Sequence, residues 1–358
     1  MRTIIAAGGT GGHLFPALAL AENLREKGAE VLFLGRKGGM ETKLLRGKGF
    51  QLRTISASSF KRGFSLATLS LPLKVLKGIL ESLTLFREFR PQVVVGTGGY
   101  VSVPVVLAAK AYKIPTILQE QNLLPGLATR LLAPLSEEVC LGFPESRRYL
   151  RRRLVVVPGN PVRRMRTWKK EEARKRLGLG VKGSAVLLLG GSQGAHSLNI
   201  ALREGMEALL REGISLIWQT GEGDYQWVAQ ISRGLKVKVE AFFEDMGLIY
   251  SASDLVISRA GASTIAELTL FGLPSVLIPY PFATGGHQRM NALSLKRRGA
   301  ALILENEALA GKTLVEVVIP LLRDDKRLKR MAAASAGLSR PRAAEEMADS
   351  ILKLANGG

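Results

Sequence analysis

The stretch that decides the fold is IIAAGGTGGH, residues 4–13, which joins a short apolar run to the helix-like sequence LFPALALAENLREKG. An apolar run that enters a glycine turn and continues as a helix is typical of a strand in a parallel α/β sheet. This turn contains four glycines, although an ordinary connection of this kind needs at most one. Missing side chains let another molecule approach the backbone. We therefore predict that the turn lines a binding site.

Length and charge set the next limits. The 358 residues favour two domains, since a single hydrophobic core stops growing at roughly 250 to 300 residues. The sequence has neither an apolar run of the roughly 18 residues that span a bilayer nor a signal-peptide pattern, so we expect a cytosolic chain. Cys140 is the only cysteine, which excludes an intrachain disulfide. The net charge of +21 predicts a polyanionic partner: nucleic acid, anionic lipid or a phosphorylated metabolite.

Apolar runs alternate with helical patterns along the whole chain, which predicts two doubly wound α/β domains. The expected strands are 3–7, 30–35, 92–96, 116–119, 138–141 and 154–157 in the first half, and 185–189, 215–219, 236–240, 255–258, 275–278 and 301–304 in the second. The domain boundary is predicted at PGNPVRRMR, residues 158–166, because its prolines and glycine follow the last apolar run of the first half.

The two halves begin alike. RTIIAAGGTGGH, residues 2–13, resembles SAVLLLGGSQGAH, residues 184–196, and a third glycine turn occurs in VVVGTGGYVSVP, residues 93–104. His13, His196 and His287 are the only histidines, and each lies in or beside a glycine turn. Such turns present backbone N–H groups and the positive end of a helix dipole, which suits phosphate.

Three familiar phosphate sites are excluded. The dinucleotide pattern G-x-G-x-x-G lacks its last glycine at Leu14, and the Gly-Lys-Thr at 311–313 lacks the first glycine of a Walker loop. No two aspartates form an Asp-x-Asp pair, so we predict no metal site. A diphosphate bound here would be neutralised by helix ends and arginines.

The second half supplies a matching pattern in SRAGASTIAELTLFG, residues 258–272, where a turn of small residues leads into a helix that carries Glu267. The two carboxylate oxygens of Glu267 match the two hydroxyls of a ribose, or the side chain merely complements the helix dipole. The loop IPYPFATGGHQRMNA, residues 278–292, either offers Gln288 to sugar hydroxyls or is a plain surface turn.

Together these motifs resemble the MurG family, bacterial transferases that move N-acetylglucosamine from UDP onto the undecaprenyl-linked muramyl-pentapeptide precursor of peptidoglycan. The matching motifs are GGTGGH at 8–13, GTGGYVSVP at 96–104, QEQN at 119–122, GNPVR at 159–163, GGSQGA at 190–195, RAGASTIAE at 259–267 and HQRMNA at 287–292. The resemblance implies a GT-B architecture, with two Rossmann-like domains facing across a cleft. Residues 1–160 would bind the acceptor, residues 161–340 would bind the donor, and the segment 341–358 would pack back on the first domain.

The resemblance also implies the residues that bind the UDP sugar. They are Thr10, Gly11, Gly12, Asn122, Arg163, Ser192, Phe243, Ala262, Ser263, Thr264, Ile265, Ala266, Glu267 and Gln288. Ser192 and the helix starts at 192 and 263 would bind the diphosphate, Phe243 would offer backbone groups to uracil, and Glu267 would hold the ribose. The family often has glutamine at the position of His287, so the contact expected between this residue and the sugar departs from the family pattern.

The implied reaction is an inverting transfer to the 4-hydroxyl of the muramyl sugar, which converts lipid I to lipid II. It needs a base, and His13 is the candidate because histidine changes charge near neutral pH. Glu120 and a substrate-assisted route are the alternatives. Gly98, Gly99 and Tyr100 are expected to border the acceptor diphosphate. No cofactor is expected, although Mg²⁺ stimulation is compatible with the family.

A membrane surface is an expected partner, because the acceptor stays in the bilayer. Residues 60–90 carry two apolar stripes, and one of them is predicted to face lipid at the cytoplasmic face of the membrane while basic side chains meet anionic headgroups. The stripes are Leu69, Leu73, Leu76, Leu80 and Leu83, and Val75, Ile79, Phe86 and Phe89. The alternative is a helix packed on the sheet. The basic cluster RRYLRRR, residues 147–153, adds to this face, and cell-wall synthesis proteins are further candidate partners.

Two other functions remain open on the sequence. A different GT-B transferase that makes glycolipid, or a UDP-N-acetylglucosamine epimerase, has a related fold. A nucleic-acid-binding protein would also explain the charge, but it should interleave aromatic side chains with its basic clusters, and aromatics are only 6% of the chain. We therefore expect no nucleic acid partner.

Overall fold

The computed structural model describes residues 1–58, 71–150, 154–191 and 194–357. The chain divides into two compact units. Unit 1 comprises Met1–Arg163 and Arg340–Gly358, and unit 2 comprises Arg164–Ser339. The chain passes between the units after Arg163 and after Ser339, whereas the sequence predicted these boundaries after residues 160 and 340.

Unit 1 is built on a parallel sheet. Its strands are β1 (Arg2–Ala6), β2 (Glu30–Arg36), β3 (Gln51–Ile55), β4 (Val93–Gly96), β5 (Thr116–Glu120), β6 (Glu138–Leu141) and β7 (Val155–Val156). Its helices are α1 (Gly11–Glu26), α2 (Met40–Leu44), α3 (Leu71–Phe89), α4 (Gly99–Ala111), α5 (Leu127–Leu132) and, at the end of the chain, α14 (Ala343–Asn356). Within the described residues the strand order is β3-β2-β1-β4-β5-β6-β7, and every neighbouring pair is parallel.

Alternate residues of β1 build the two layers of the unit 1 core. Ile5 lies in the cluster that contains α1 and the buried side chains Met347 and Ile351 of α14. Ile4 lies in the cluster on the opposite face, which contains Phe86 of α3. This alternation follows from the two-residue period of a strand. Helix α14 therefore packs in unit 1, next to α1.

Unit 2 repeats the plan. Its strands are β8 (Ala185–Leu189), β9 (Ser215–Gln219), β10 (Val237–Glu240), β11 (Leu255–Ser258), β12 (Ser275–Leu277) and β13 (Ala301–Ile303). Its helices are α6 (Lys170–Arg176), α7 (His196–Arg211), α8 (Tyr225–Ile231), α9 (Met246–Ala252), α10 (Ala262–Leu270), α11 (His287–Arg297), α12 (Gly311–Arg323) and α13 (Asp325–Ala336). In the part of the unit that the structure describes, the parallel strands run in the order β10-β9-β8-β11-β12-β13. The prediction of two doubly wound α/β domains is confirmed.

Strand β3 was not predicted. Its sequence QLRTI exposes Gln51, Arg53 and Thr54, and only Ile55 is buried. Among the described strands it is the last one on its side of the sheet, so it has a single neighbour, β2, and few of its side chains enter the core. An edge strand of this kind lacks the continuous apolar run that reveals the central strands.

The strand order determines where the glycine turns lie in each sheet. In each unit the order reverses between two neighbouring strands, β1 and β4 in unit 1, and β8 and β11 in unit 2. In open α/β sheets, ligands bind beyond the carboxyl ends of the strands at this switch point. The turns that follow these four strands are the glycine or small-residue turns that begin at residues 8, 97, 190 and 259. Each unit therefore presents a candidate site at its switch point.

Candidate active site

The two glycine turns of unit 1 pack against each other. Gly9, Gly98 and Gly99 have φ values of +94°, +89° and +71°, which side chains rarely adopt. A Cβ on Gly9 would lie 3.1 Å from Cε1 of Tyr100, and a Cβ on Gly98 would lie 3.0 Å from Cε1 of His13. The glycines are therefore required both by backbone conformation and by the close approach of His13 and Tyr100.

His13 lies in the first turn of α1, half-buried, with its ring against the second glycine turn. Its Nδ1 is 2.9 Å from the carbonyl oxygen of Thr97 and 3.1 Å from Oε1 of Gln121. A backbone carbonyl only accepts hydrogen bonds, so Nδ1 carries the proton. In neutral imidazole the lone pair then lies on Nε2. His13 thus has the tautomer that a general base requires.

A buried chain of amides orients His13. Gln121 donates from Nε2 to the Thr97 carbonyl oxygen at 2.7 Å, which turns its Oε1 toward the imidazole. Gln119 also accepts from Gln121 and donates to Oδ1 of Asn160 at 3.1 Å. Asn160 closes the network by donating to the backbone carbonyl of Gln121 at 2.9 Å. The motifs QEQN and GNPVR signalled these residues, but their role in orienting His13 was not predicted.

The surroundings of Glu120, the alternative base, favour a structural role. Its side chain is 2% exposed and organises the loop after β5. The carboxylate accepts hydrogen bonds from the backbone N–H of Asn122 at 3.0 Å, from the N–H of Gly126 at 2.9 Å and from the hydroxyl of Thr129 at 2.6 Å. These contacts favour a role for Glu120 in holding the loop.

The other candidates of unit 1 differ in exposure. Thr10 and Gly12 are exposed at the start of α1, whereas Gly11 is buried. Asn122 is half-buried in the Glu120 loop, where its amide nitrogen donates to Oε1 of Glu120 at 3.3 Å. Arg163 is half-buried at the last position of the first segment of unit 1.

In unit 2, helix α10 begins directly after the turn that follows β11. Ser263, Thr264 and Ala266 are half-buried on the accessible side of its first turns, whereas Ala262 is 6% exposed. The Ile265 side chain is buried, and its N–H donates to the Gly261 carbonyl oxygen at 2.9 Å. Side chains at positions three and four apart share one face of a helix, so Ser263, Ala266 and Glu267 lie together.

Glu267 has a partner that the sequence did not reveal. The hydroxyl of Tyr250, a side chain that is 1% exposed in α9, donates to Oε2 of Glu267 at 2.6 Å. Glu267 itself is half-buried. The pair joins two helices that are separated by strand β11 in the sequence.

Arg259 is a buried cation in the same turn and was not among the predicted site residues. Its guanidinium donates to the hydroxyl of Ser197 at 2.7 Å, to Oδ1 of Asn306 at 2.9 Å and to the Ile278 carbonyl oxygen at 3.2 Å. Burial lowers the pKa of Arg259 from its ordinary value, and Tyr280 opposes this in part. Arginine stays charged at neutral pH even so. Arg259 therefore places a positive charge between the start of α7 and the loop before α11.

Two residues that are predicted to contact the UDP sugar already form hydrogen bonds within the protein. The backbone N–H of Phe243 donates to Oε1 of Gln219 at 3.1 Å, so of the two backbone groups expected to meet uracil, the N–H is occupied. Gln288 accepts from the backbone N–H of Tyr280 at 2.9 Å through its Oε1, which leaves its NH₂ group to donate to a ligand. His287 points Nδ1 at the Thr284 carbonyl oxygen, 2.8 Å away.

The glycine turn after β8 is described only in part, and Ser192 lies outside the described residues. Beside this turn, Nδ1 of His196 is 2.9 Å from the carboxylate of Asp224, which also accepts from Asn199 at 2.7 Å and Trp227 at 2.9 Å. Burial raises the pKa of the Asp224 carboxyl, but the hydrogen bonds from Asn199, Trp227 and His196 lower it by more. The carboxylate is therefore ionised, and it fixes the His196 ring.

The chain resembles known proteins in both sequence and fold. The profile of the glycosyltransferase family 28 N-terminal domain matches residues 3–140, and that of its C-terminal domain matches residues 185–347. The UDP-N-acetylglucosamine–N-acetylmuramyl-(pentapeptide) pyrophosphoryl-undecaprenol N-acetylglucosamine transferase of Halothermothrix orenii is 41% identical over 374 residues, which cover 100% of both chains.

Solved structures agree with the sequence matches. The crystal structure of MurG from Acinetobacter baumannii has a TM-score of 0.78 at 29% identity, covering 98% of this chain and 99% of that one. The UDP-GlcNAc 2-epimerase from Neisseria meningitidis, bound to UDP-GlcNAc, has a TM-score of 0.68 at 15% identity, covering 99% of this chain and 100% of that one. At that identity the similarity concerns the fold alone.

Proposed function

Because the chain belongs to the MurG family of UDP-N-acetylglucosamine–N-acetylmuramyl-(pentapeptide) pyrophosphoryl-undecaprenol N-acetylglucosamine transferases, within glycosyltransferase family 28, we propose that unit 2 binds the UDP sugar and unit 1 activates the acceptor. The protein is a UDP-N-acetylglucosamine-dependent glycosyltransferase of GT-B architecture. It transfers N-acetylglucosamine to the lipid-linked muramyl-pentapeptide, converting lipid I to lipid II. One observation supports this division of roles. In each unit two turns meet at the switch point of the sheet, and His13 lies in the unit 1 pair while Glu267 lies beside the unit 2 pair.

The donor subsites follow from the unit 2 contacts. The Glu267 carboxylate accepts hydrogen bonds from the two ribose hydroxyls. The backbone carbonyl of Phe243 contacts the uracil, because the N–H of Phe243 already donates to Gln219. The diphosphate lies over the first turn of α10, where Ser263 and Thr264 are accessible and the helix dipole is positive. The charge of Arg259 stabilises the same anion at longer range. Gln288 donates its NH₂ group to a sugar hydroxyl.

The acceptor hydroxyl attacks the anomeric carbon from the side opposite UDP, which inverts the configuration. His13 takes the hydroxyl proton on Nε2, and the Thr97 carbonyl and Gln121 stabilise the imidazolium that forms. The start of α10 and the charge of Arg259 stabilise the negative charge of the leaving UDP. Gly98 and Gly99 let the acceptor diphosphate approach the backbone beside His13.

The direct test is incubation of the full chain with radiolabelled UDP-N-acetylglucosamine and a short-chain lipid-linked muramyl-pentapeptide. Label is expected in the lipid product, and only when the acceptor is present. The proposal expects turnover to persist in EDTA, with added Mg²⁺ at most stimulating it. An epimerase would instead convert the sugar nucleotide without any acceptor, and another glycolipid transferase would reject the muramyl lipid.

We also propose that α3 docks on the membrane. Phe86 packs in the core, but Leu73, Leu76 and Leu80 are 70%, 53% and 57% exposed and lie on one stripe, while Leu69 is outside the described residues. The exposed cations Lys74 and Lys77 flank this stripe. Among the described residues no helix is long and apolar enough to cross a bilayer. An amphipathic helix with basic flanks binds anionic lipid surfaces by burying its apolar side.

A second apolar pair supports this orientation. Leu127 and Leu131 on α5 are 64% and 61% exposed. Helix α4 packs against both α3 and α5, so the two apolar sets flank the helix that begins at the Gly98–Gly99 turn. A membrane on this side would bring the lipid-linked diphosphate to the glycine turn that we assign to it.

Substitution of Leu73, Leu76 and Leu80 by serine is expected to weaken binding to anionic vesicles by at least about tenfold, since each buried leucine contributes on the order of 1 kcal/mol or more. Co-sedimentation with vesicles that contain phosphatidylglycerol measures the effect. The matched control replaces Val181, Ile231 and Leu235 by serine, which are 41%, 37% and 42% exposed in unit 2 and should not change binding. Equal losses in both variants would contradict the assignment to α3.

A further inference from the structure

Tyr250 has a buried hydroxyl that donates a hydrogen bond to the carboxylate of Glu267. The side chain is 1% exposed, and its hydroxyl lies 2.6 Å from Oε2. The Tyr250 ring also packs against Phe271, with 5.2 Å between ring centroids. The hydroxyl is thus held by packing on the ring and points at the side chain that would receive the ribose.

Glutamate has several rotatable bonds, and an unrestrained carboxylate loses that freedom when it binds two hydroxyls at once. A short, charge-assisted hydrogen bond from a buried donor fixes the carboxylate beforehand. Each carboxylate oxygen has two lone pairs, so Oε2 can still accept from a ligand while it accepts from Tyr250. The second oxygen, Oε1, provides further lone pairs, so one carboxylate can accept hydrogen bonds from two neighbouring hydroxyls.

The position of Tyr250 in α9 links two subsites. The helix begins at Met246, just after Phe243, and Asp245 caps it by accepting from the N–H of Leu248 at 2.9 Å. One short element therefore connects the proposed uracil contact at Phe243 to the carboxylate at Glu267.

We propose that Tyr250 is a positioning residue that holds Glu267 in the geometry that recognises both hydroxyls of a ribose, and that it confers selectivity for ribonucleotide over deoxyribonucleotide donors. This inference rests on the proposed donor site in unit 2. It goes beyond that site by assigning its sugar selectivity to a residue that does not touch the ligand.

The test measures the affinity of the full chain for UDP and for 2′,3′-dideoxy-UDP by isothermal titration calorimetry. Tyr250→Phe is expected to weaken UDP binding by about 5- to 10-fold, as expected for loss of a hydrogen bond to a charged group. Binding of 2′,3′-dideoxy-UDP should change by less than about twofold, because that ligand makes no bond to Glu267. In a Glu267→Ala background, which leaves Tyr250 no side-chain acceptor at this position, Tyr250→Phe should have no further effect on UDP binding.

A purely structural role of Tyr250 gives the opposite pattern, because both ligands would weaken equally and the losses in the double variant would add. Tyr112→Phe is the matched control, since it removes the hydroxyl of an exposed tyrosine in unit 1. It should leave both affinities unchanged. If the wild-type chain binds UDP and Glu267→Gln does not weaken it, the positioning role is wrong although a donor site exists. If the wild-type chain binds no UDP, the proposed function fails with it.

Discussion

Replacement of His13 by alanine is expected to lower kcat for sugar transfer by about 10²- to 10⁴-fold, the usual contribution of a general base. The KM for UDP-N-acetylglucosamine should change little, because the proton moves only in the transition state. The reason is the geometry of the ring, in which Nδ1 donates to the Thr97 carbonyl oxygen and Nε2 keeps its lone pair. Steady-state kinetics with a short-chain acceptor measure the loss.

His13→Gln is the matched variant for this prediction. Glutamine can donate to the Thr97 carbonyl oxygen as the imidazole does, but it cannot take up a proton near neutral pH. We expect the loss of kcat to be similar in His13→Gln and His13→Ala. Near-normal turnover in either variant would favour a substrate-assisted route and exclude His13 as the base.

Replacement of Glu120 by alanine is expected to lower the free energy of unfolding by about 3 kcal/mol, since several buried donors lose a charged acceptor at once. The affected groups are the N–H groups of Asn122 and Gly126 and the hydroxyl of Thr129. Urea denaturation followed by circular dichroism measures the change. Because the loop also positions Gln121, turnover should fall together with stability.

Glu120→Gln separates the structural role from a catalytic one. The amide keeps the shape of the side chain but replaces one acceptor oxygen by a donor that faces another donor. The structural role predicts a clear loss of stability, intermediate between wild type and Glu120→Ala. A variant with unchanged stability and strongly reduced kcat would restore Glu120 as a base.

The central strands could be predicted because each is buried on both faces and therefore reads as a continuous apolar run. The edge strand β3 could not, since its exposed side chains Gln51, Arg53 and Thr54 resemble those of a loop. The glycine turns and His13 could be singled out for a different reason. Four glycines and a histidine in one turn are more than an ordinary connection between a strand and a helix needs.

The supporting contacts could not be predicted, because they join residues that are far apart in the chain. Asn160 is 41 positions from Gln119, and Tyr250 is 17 positions from Glu267, with a strand between them. The sequence also could not assign Glu120, because a carboxylate at the end of a buried strand suits a base and a loop anchor equally. Only its burial and its three donors distinguish the two roles.

The central claim is that UDP binds in unit 2 with its ribose on Glu267 and its diphosphate over the start of α10. A crystal structure of the chain with UDP tests this most directly. We predict that both ribose hydroxyls lie within hydrogen-bond distance of the Glu267 carboxylate and that the diphosphate contacts the segment 262–264. A nucleotide bound in unit 1, or in unit 2 away from the segment 259–267, would contradict the account.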